Sequence, residues 1–448
     1  MKLVFTLLIV ALVHISSSKA EDVGEPLILT PYIENNQIAE GVAAAKVTVE
    51  QFASIPSYSG FFTVDKRYDS NLFFWFIPSQ NNYEEDPVLL WLQGGPGASS
   101  LFGLFVENGP YVVTNGENVS FREHSWTKNH SVLYIDSPAG TGFSFTNGGY
   151  AQNQTKVGED LYEALLQFFQ LFPELQKNEF FVTGESYGGK YVPAIGYTIM
   201  KKNPLADLKI NLKGLLIGNG LVDPEHQIAE YGDYLYNLGF IDEGAKEEFI
   251  ELQNKGATYM KEGDFENAFQ AFDEIINGDY NSETLFKKYT GFSTYFNYLF
   301  NSESDESYAT FLETPAVRKG IHVGNLTQDS DQVKDNLRLD VVKSIAPWVV
   351  ELLNQYRVLF YNGQLDIIVA YPTTVNFIKN LNFSAAEEYK TAPRIKWRID
   401  GNIIAGYSKT AGNLTEVLVR NAGHMVPTDQ PEWAYDLVYK FVRNIALS

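Results

Sequence analysis

The run Phe180-Phe181-Val182-Thr183-Gly184-Glu185-Ser186-Tyr187-Gly188-Gly189 decides the fold. Its first four residues have the length and composition of a strand buried on both faces, and a G-x-S-x-G motif follows at once. The glycines permit a sharp strand-to-helix turn that lifts the Ser186 hydroxyl above the sheet edge, where the next backbone N–H can bind a developing oxyanion. A plain glycine-rich turn is the competing reading, and the strand ahead of the motif weighs against it. Gly184 to Lys190 also spells G-x-x-x-x-G-K, but Tyr191 stands where a phosphate loop needs Ser or Thr. Pro193, early in the helix that should follow, is expected to kink or delay its hydrogen-bond ladder.

Further short apolar runs with glycine-rich ends lie on either side: Val88 to Leu92, Val132 to Ile135, Leu215 to Ile217 and Val358 to Tyr361. Helical patterns such as Leu161 to Leu171 separate several of them, which predicts an α/β fold with a mainly parallel central sheet. Functional residues in such sheets gather at the carboxyl ends of the strands. Phe61 to Val64 and Leu72 to Phe76, around Asp69-Ser70-Asn71, read as a hairpin; Ile403 to Tyr407 and Val417 to Val419 read as a second. From Asp223 to about Leu339 the rhythm changes to long, charged helical segments, with Phe265, Ala268, Phe269, Phe272, Ile275 and Ile276 at helical spacing. The expected organisation is a core at 21–222 and 340–448, interrupted by a mainly helical cap at 223–339.

Residues 1–20 carry one cation at Lys2, an apolar run from Leu3 to Val13, and Ser18-Lys19-Ala20 with small residues at the cleavage positions. They read as a signal peptide, because an apolar run that short cannot span a bilayer, which takes about 20 residues. Six Asn-x-Ser/Thr sequons, at Asn118, Asn129, Asn153, Asn325, Asn382 and Asn413, fit passage through the secretory pathway to a secreted or lysosomal destination. The 448 residues include 55 acids against 34 bases, a net charge of −21, which argues against a nucleic-acid or anionic-membrane partner. A pI near 4.7 suits an acidic lumen, and ordinary solubility accounts for it equally well. The absence of cysteine rules out a thiol nucleophile, a disulfide and a thiolate-bound metal.

A serine nucleophile needs a base and an orienting acid, which hydrolases built on such sheets supply in the order Ser, then Asp or Glu, then His. Of six histidines, His14 leaves with the signal, and His124, His130, His226 and His322 do not follow a strand in a glycine-flanked loop. His424 does, in Asn421-Ala422-Gly423-His424-Met425-Val426-Pro427; a packed loop histidine is the alternative. Asp366 follows the strand Val358 to Tyr361 and stands before Ile367-Ile368-Val369. A lone acid in apolar company is costly without a partner, so Asp366 is expected to meet one. No His or carboxylate cluster has metal-ligand spacing, and neither metal nor other cofactor is expected.

Four segments together resemble the signature regions of the serine carboxypeptidases, which have the α/β-hydrolase fold. They are Trp91-Leu92-Gln93-Gly94-Gly95-Pro96-Gly97-Ala98-Ser99-Ser100, Gly184 to Tyr191, Asn362-Gly363-Gln364-Leu365-Asp366, and Gly423-His424-Met425-Val426-Pro427. The resemblance covers nearly the whole mature chain and is greatest to the vitellogenic carboxypeptidase-like branch, which shares W-L-Q-G-G-P-G, F-V-E-x-G-P-Y and N-G-Q-L-D-I-I-V. It implies a triad of Ser186, Asp366 and His424, an acyl-enzyme intermediate, and an oxyanion hole from the N–H groups of Gly95 and Tyr187. It further implies that Gln93, Gly94, Glu107 and Glu185 hold the terminal carboxylate of a peptide or protein substrate. Gln93 replaces the family's usual Asn, one methylene longer; Gly188 stands where Ala is frequent and Ala98 where many members have Cys. By position, Phe102, Val106 and Met425 line the pocket for the leaving residue, which would favour hydrophobic C-termini, although core packing explains them equally well. Without the resemblance, Glu107 and Glu185 would read as solvent-facing acids.

Overall fold

The computed structural model describes residues 22–280, 283–300, 307–328, 330–399 and 401–447; the expected signal peptide lies outside them. Each apolar run forms a strand: β1 (Tyr58–Asp65), β2 (Ser70–Ile77), β3 (Val88–Leu92), β6 (Ser131–Ile135), β7 (Phe180–Glu185), β8 (Leu212–Gly218) and β9 (Arg357–Gly363). β11 (Ile403–Ala411) and β12 (Leu414–Val419) form the second hairpin, longer at its turn than its apolar residues suggest. Three strands escape the sequence reading. β10 (Ile395–Ile399) has Lys396 and Arg398 between its apolar residues and ends the sheet, while β4 (Tyr111–Thr114) and β5 (Asn118–Phe121) make a separate two-stranded ribbon.

The ten-stranded sheet runs β1-β2-β6-β3-β7-β8-β9-β12-β11-β10. From β6 to β12 all neighbours are parallel, with antiparallel strands added at both edges. Side chains alternate between two cores, as a two-residue period requires. Leu72, Phe74, Phe76, Leu90 and Val182 face one; Phe73, Trp75, Leu89, Trp91 and Phe181 face the other. Helices Gln154–Leu171 and Gly188–Lys202 cover the first face through Leu161, Leu165, Ile195 and Ile199, and helix Pro431–Val442 covers the second through Leu437, Val438 and Phe441.

The helix expected from Leu161 begins earlier because Asn153 caps it, its side chain accepting from Lys156 N at 3.1 Å. Helix Gly188–Lys202 continues through Pro193, which sits near its start and forfeits a single ladder bond. Within 223–339 the regular elements among the described residues are helical, but the stretch does not pack as one piece. Phe249, Met260, Phe269, Phe272, Ile275 and Phe286 join the first core, whereas Tyr308, Phe311, Leu312, Val317 and Ile321 join the second, beside Phe52 and Phe105. Its two ends are tied where Ile345 N donates to Val222 O at 3.0 Å.

Candidate active site

Six parallel strands end at one edge, and each delivers one part of the site. β7 ends at Glu185, and Ser186 follows with φ +62°, a left-handed conformation rare for a non-glycine residue. The turn is held by Ser186 N donating to Gly218 O (3.1 Å) and by Ser186 O accepting from Gly189 N and Leu221 N (both 2.9 Å). A Cβ on Gly184 or Gly188 would lie 2.6 or 2.7 Å from the Leu92 carbonyl oxygen, so these glycines are fixed by close approach of β3 to the turn.

The loop after β3 stacks on this elbow. A Cβ on Gly94 would lie 2.5 Å from Tyr187 N and 2.7 Å from Ser186 Cβ, and Gly95 takes φ +105°. Buried Asp136, at the end of β6, anchors the far side of the loop. Its carboxylate accepts from Ser99 Oγ (2.7 Å), Ser100 N (2.9 Å) and Phe143 N (2.9 Å).

β9 supplies Asp366 and β12 supplies His424, both buried. Asp366 Oδ2 lies 2.8 Å from His424 Nδ1 and accepts from Asn219 Nδ2 at 2.7 Å and Val369 N at 3.3 Å. With Nδ1 engaged, His424 Nε2 is the free ring nitrogen, buried and without a hydrogen-bond partner. The expected partner of Asp366 is thus His424. The other four histidines lie elsewhere: His130 contacts Trp126 O and Arg443, His226 pairs with Asp223, His322 contacts Ser59, and His124 packs near Tyr435.

Beside the elbow, Gln93 Nε2 donates to Glu107 Oε1 (3.1 Å) and Glu185 Oε1 (3.2 Å). Trp91 Nε1 donates to Gln93 Oε1 (2.8 Å), which turns the amide's NH2 toward the acids. Gly103 lets the π-helical turn Gly103–Glu107 press onto Trp91; a Cβ there would fall 2.1 Å from the indole nitrogen. Both glutamates are buried, and the Oε2 of each lacks a partner. Burial pushes Glu107 up to about 7, against the hydrogen bonds it accepts. Burial, then the negative charge of Glu107, pushes Glu185 well above the carboxylate range. The pair therefore keeps at least one proton at neutral pH and below.

Phe102, Val106 and Met425 are half-buried. Val106 precedes Glu107, and its carbonyl accepts from Thr428 Oγ1 at 3.1 Å, which joins the π-helical turn to the loop carrying Met425. Lys190 of the phosphate-loop lookalike is buried, and its Nζ donates to the carbonyls of Asp340 and Lys343.

Sequence reasoning missed Asn219, Trp91 and a strap at Tyr295–Tyr298. Asn219 stands in Gly218-Asn219-Gly220 directly after a strand, the signal that found Ser186. The strap offers no such signal. Tyr295 O accepts from Ile367 N (3.0 Å), Phe296 O from His424 N (2.6 Å), and Tyr298 N donates to Leu365 O (3.1 Å), so it crosses both acid and base loops.

A serine elbow and a buried Asp–His pair, all at the carboxyl edge of a mainly parallel sheet, define a hydrolase of the α/β-hydrolase class. The chain belongs to the serine carboxypeptidase family, whose model matches residues 48–444, and it is a serine carboxypeptidase. It is 52% identical over 432 residues to a venom serine carboxypeptidase of Apis mellifera, covering 95% of this chain and 92% of that one. It is 50% identical over 430 residues to a vitellogenic carboxypeptidase of Aedes aegypti, covering 94% and 90%. The solved structure of a prohormone-processing carboxypeptidase from Saccharomyces cerevisiae matches with TM-score 0.77 and 25% identity, over 90% of this chain and 96% of that one.

Proposed function

We propose that the enzyme releases single C-terminal residues through an acyl-enzyme, prefers hydrophobic leaving residues and works best in acid. The observation that carries this reading is the buried Gln93–Glu107–Glu185 cluster next to the elbow. Two acids with raised affinity for protons and one amide donor suit a single anion, the terminal carboxylate of a peptide. A chain continuing past the clamp has no carboxylate at that distance, which restricts cleavage to the last bond.

Ser186 Oγ attacks the scissile carbonyl carbon while His424 Nε2 takes its proton, and Asp366 holds the imidazole through Nδ1. The N–H groups of Gly95 and Tyr187 receive the oxyanion. Collapse breaks the C–N bond, with the proton passing from His424 to the departing amine; water then repeats the sequence on the ester. Phe102, Val106 and Met425 supply an apolar wall beside Glu107, which favours C-terminal Phe, Leu or Met over Lys or Asp. Residues 223–339 act as an insertion into the core whose strap steadies the catalytic loops.

The reading extends to a secretory-pathway glycoprotein. Asn118, Asn153, Asn325, Asn382 and Asn413 are exposed, whereas Asn129 is half-buried and its amide oxygen accepts from the Tyr435 hydroxyl. Among the described residues no helix is long and apolar enough to cross a membrane.

The test is the pH dependence of kcat/KM for a blocked dipeptide and its C-terminal amide, with wild type and Glu107→Gln. Glu107 titrates near 7, so peptide hydrolysis should fall as pH rises through that value, while the amide, with no anion to clamp, keeps a flatter limb. Glu107→Gln carries a permanently neutral donor and should flatten the peptide's limb too. Identical alkaline limbs in every combination would remove the acid pair from substrate binding, and preference for C-terminal Lys or Arg would reject the apolar wall.

A further inference from the structure

Tyr187 contributes to the proposed mechanism through its backbone, yet its side chain ends in a buried polar cluster that the mechanism leaves unused. The Tyr187 hydroxyl donates to Asp340 Oδ2 at 2.6 Å. Gln154 Nε2 donates to the same carboxylate oxygen at 2.7 Å and to the Tyr187 hydroxyl at 3.2 Å. Lys190 Nζ stands 3.7 Å from Asp340 Oδ2, donates to the Asp340 carbonyl, and lies 5.6 Å above the centre of the Tyr187 ring. All four residues are at most 6% exposed.

Burying an acid, a lysine, an amide and a phenol is unfavourable unless they satisfy one another, and deleting one member strands the polar groups it leaves behind. These members come from separate parts of the chain. Gln154 opens helix Gln154–Leu171, Tyr187 and Lys190 lie in the elbow and its helix, and Asp340 ends the turn Arg338–Asp340, where the chain leaves the 223–339 stretch and re-enters the core. What they share is a grip on the residue after the nucleophile. The other end of Tyr187 is its N–H, packed so tightly under Gly94 that no Cβ fits between them. With its far oxygen hydrogen-bonded and Lys190 alongside, the ring ties the Tyr187 backbone, and with it that N–H, to a fixed point in the core.

We infer that Asp340 is a positioning residue for the oxyanion hole, fixing the Tyr187 side chain through its hydroxyl and thereby aiming the Tyr187 N–H. The inference rests on the proposed roles of Ser186 and Tyr187. It also gives the first residue after the 223–339 stretch a part in catalysis without contact to substrate.

Wild type is first titrated with a serine-directed phosphonate; absence of labelling at Ser186 would overturn the catalytic reading itself. Tyr187→Phe, which deletes one oxygen, Asp340→Ala, and the double variant are then compared on peptide and ester substrates. Rates are referred to titrated sites, so molecules that fail to fold do not count. Removing an oxyanion donor outright costs roughly 100- to 1,000-fold in kcat, and a misaimed donor should cost less, on the order of ten-fold, with KM held. The same loss is expected on both substrates, and the double variant should be no worse than the worse single one. Asp340→Asn, which keeps an acceptor for the hydroxyl, should recover part of the rate. Unchanged kcat per titrated site in Tyr187→Phe would refute the inference even if Asp340→Ala fails to fold. So would losses that multiply in the double variant, or that appear in KM alone.

Discussion

Ser186 holds a left-handed conformation with three backbone hydrogen bonds around it, so the turn is imposed by its surroundings and not by its hydroxyl. Alanine meets the same backbone strain as serine at φ +62°. Ser186→Ala should therefore fold with an unchanged near-UV spectrum and melting temperature while losing phosphonate labelling and on the order of a million-fold in kcat, leaving a remnant from the oxyanion donors. Substantial retained activity would mean another nucleophile. Ser186, Asp366 and His424 were legible in the sequence because each stands where a strand ends. Glu107 and Glu185 were not legible from their own surroundings, since what singles them out is burial against each other across 78 residues of chain. Trp91 likewise looks like any core tryptophan until its N–H is seen orienting Gln93.

At the scale of elements, strands buried on both faces announced themselves as unbroken apolar runs, and the loops carrying Ser186, Asp366 and His424 followed as their carboxyl ends. The strap Tyr295–Tyr298 has no periodicity to read, because its order comes from backbone bonds to two distant loops. Its side chains add to this. The Phe296 ring lies 5.3 Å from the His424 ring, and Asn297 Nδ2 donates to Asp429 Oδ2 at 2.9 Å. That same oxygen accepts from Gly423 N at 2.6 Å, so Asn297 braces the residue before His424. Asn297→Ala leaves the half-buried Asp429 carboxylate short of one donor, a loss of about 0.5–1.5 kcal/mol. The expected result is a lower melting temperature with kcat reduced several-fold and KM little changed, read from steady-state kinetics on titrated enzyme. Loss of stability with full kcat would make the strap a purely structural brace.

Over the whole molecule, the buried acids predict how stability depends on pH. Burial raises Glu107 to about 7, Asp136 and Asp160 to about 6, and Glu185 and Asp429 above the ordinary range. An acid whose folded pKa exceeds its unfolded one binds more protons folded, so it favours folding fully below the unfolded value and loses that advantage as pH rises through the folded value. Two groups oppose this in acid: burial lowers His130 to about 3 and also lowers His322, so unfolding takes up protons there below about 6.5. Lys190, lowered by burial to about 8, opposes it again in alkali, where only the unfolded lysine stays charged. Between about pH 6.5 and 8 His130 and His322 are neutral in the folded state and progressively lose their protons in the unfolded one, Lys190 is mostly charged until near 8, and Asp136 and Asp160 are largely ionised. The slope in that window belongs chiefly to Glu107 and Glu185. Melting temperature at constant ionic strength should thus fall from pH 6.5 to 8, and Glu107→Gln should flatten the fall, because an amide releases no proton and spares Glu185 a charged neighbour. A melting temperature that stays level across the window in wild type would show that the pair is ionised in the folded enzyme, an equal fall in Glu107→Gln would show that Glu107 is, and in either case a clamp that depends on the Glu107 proton would go with it.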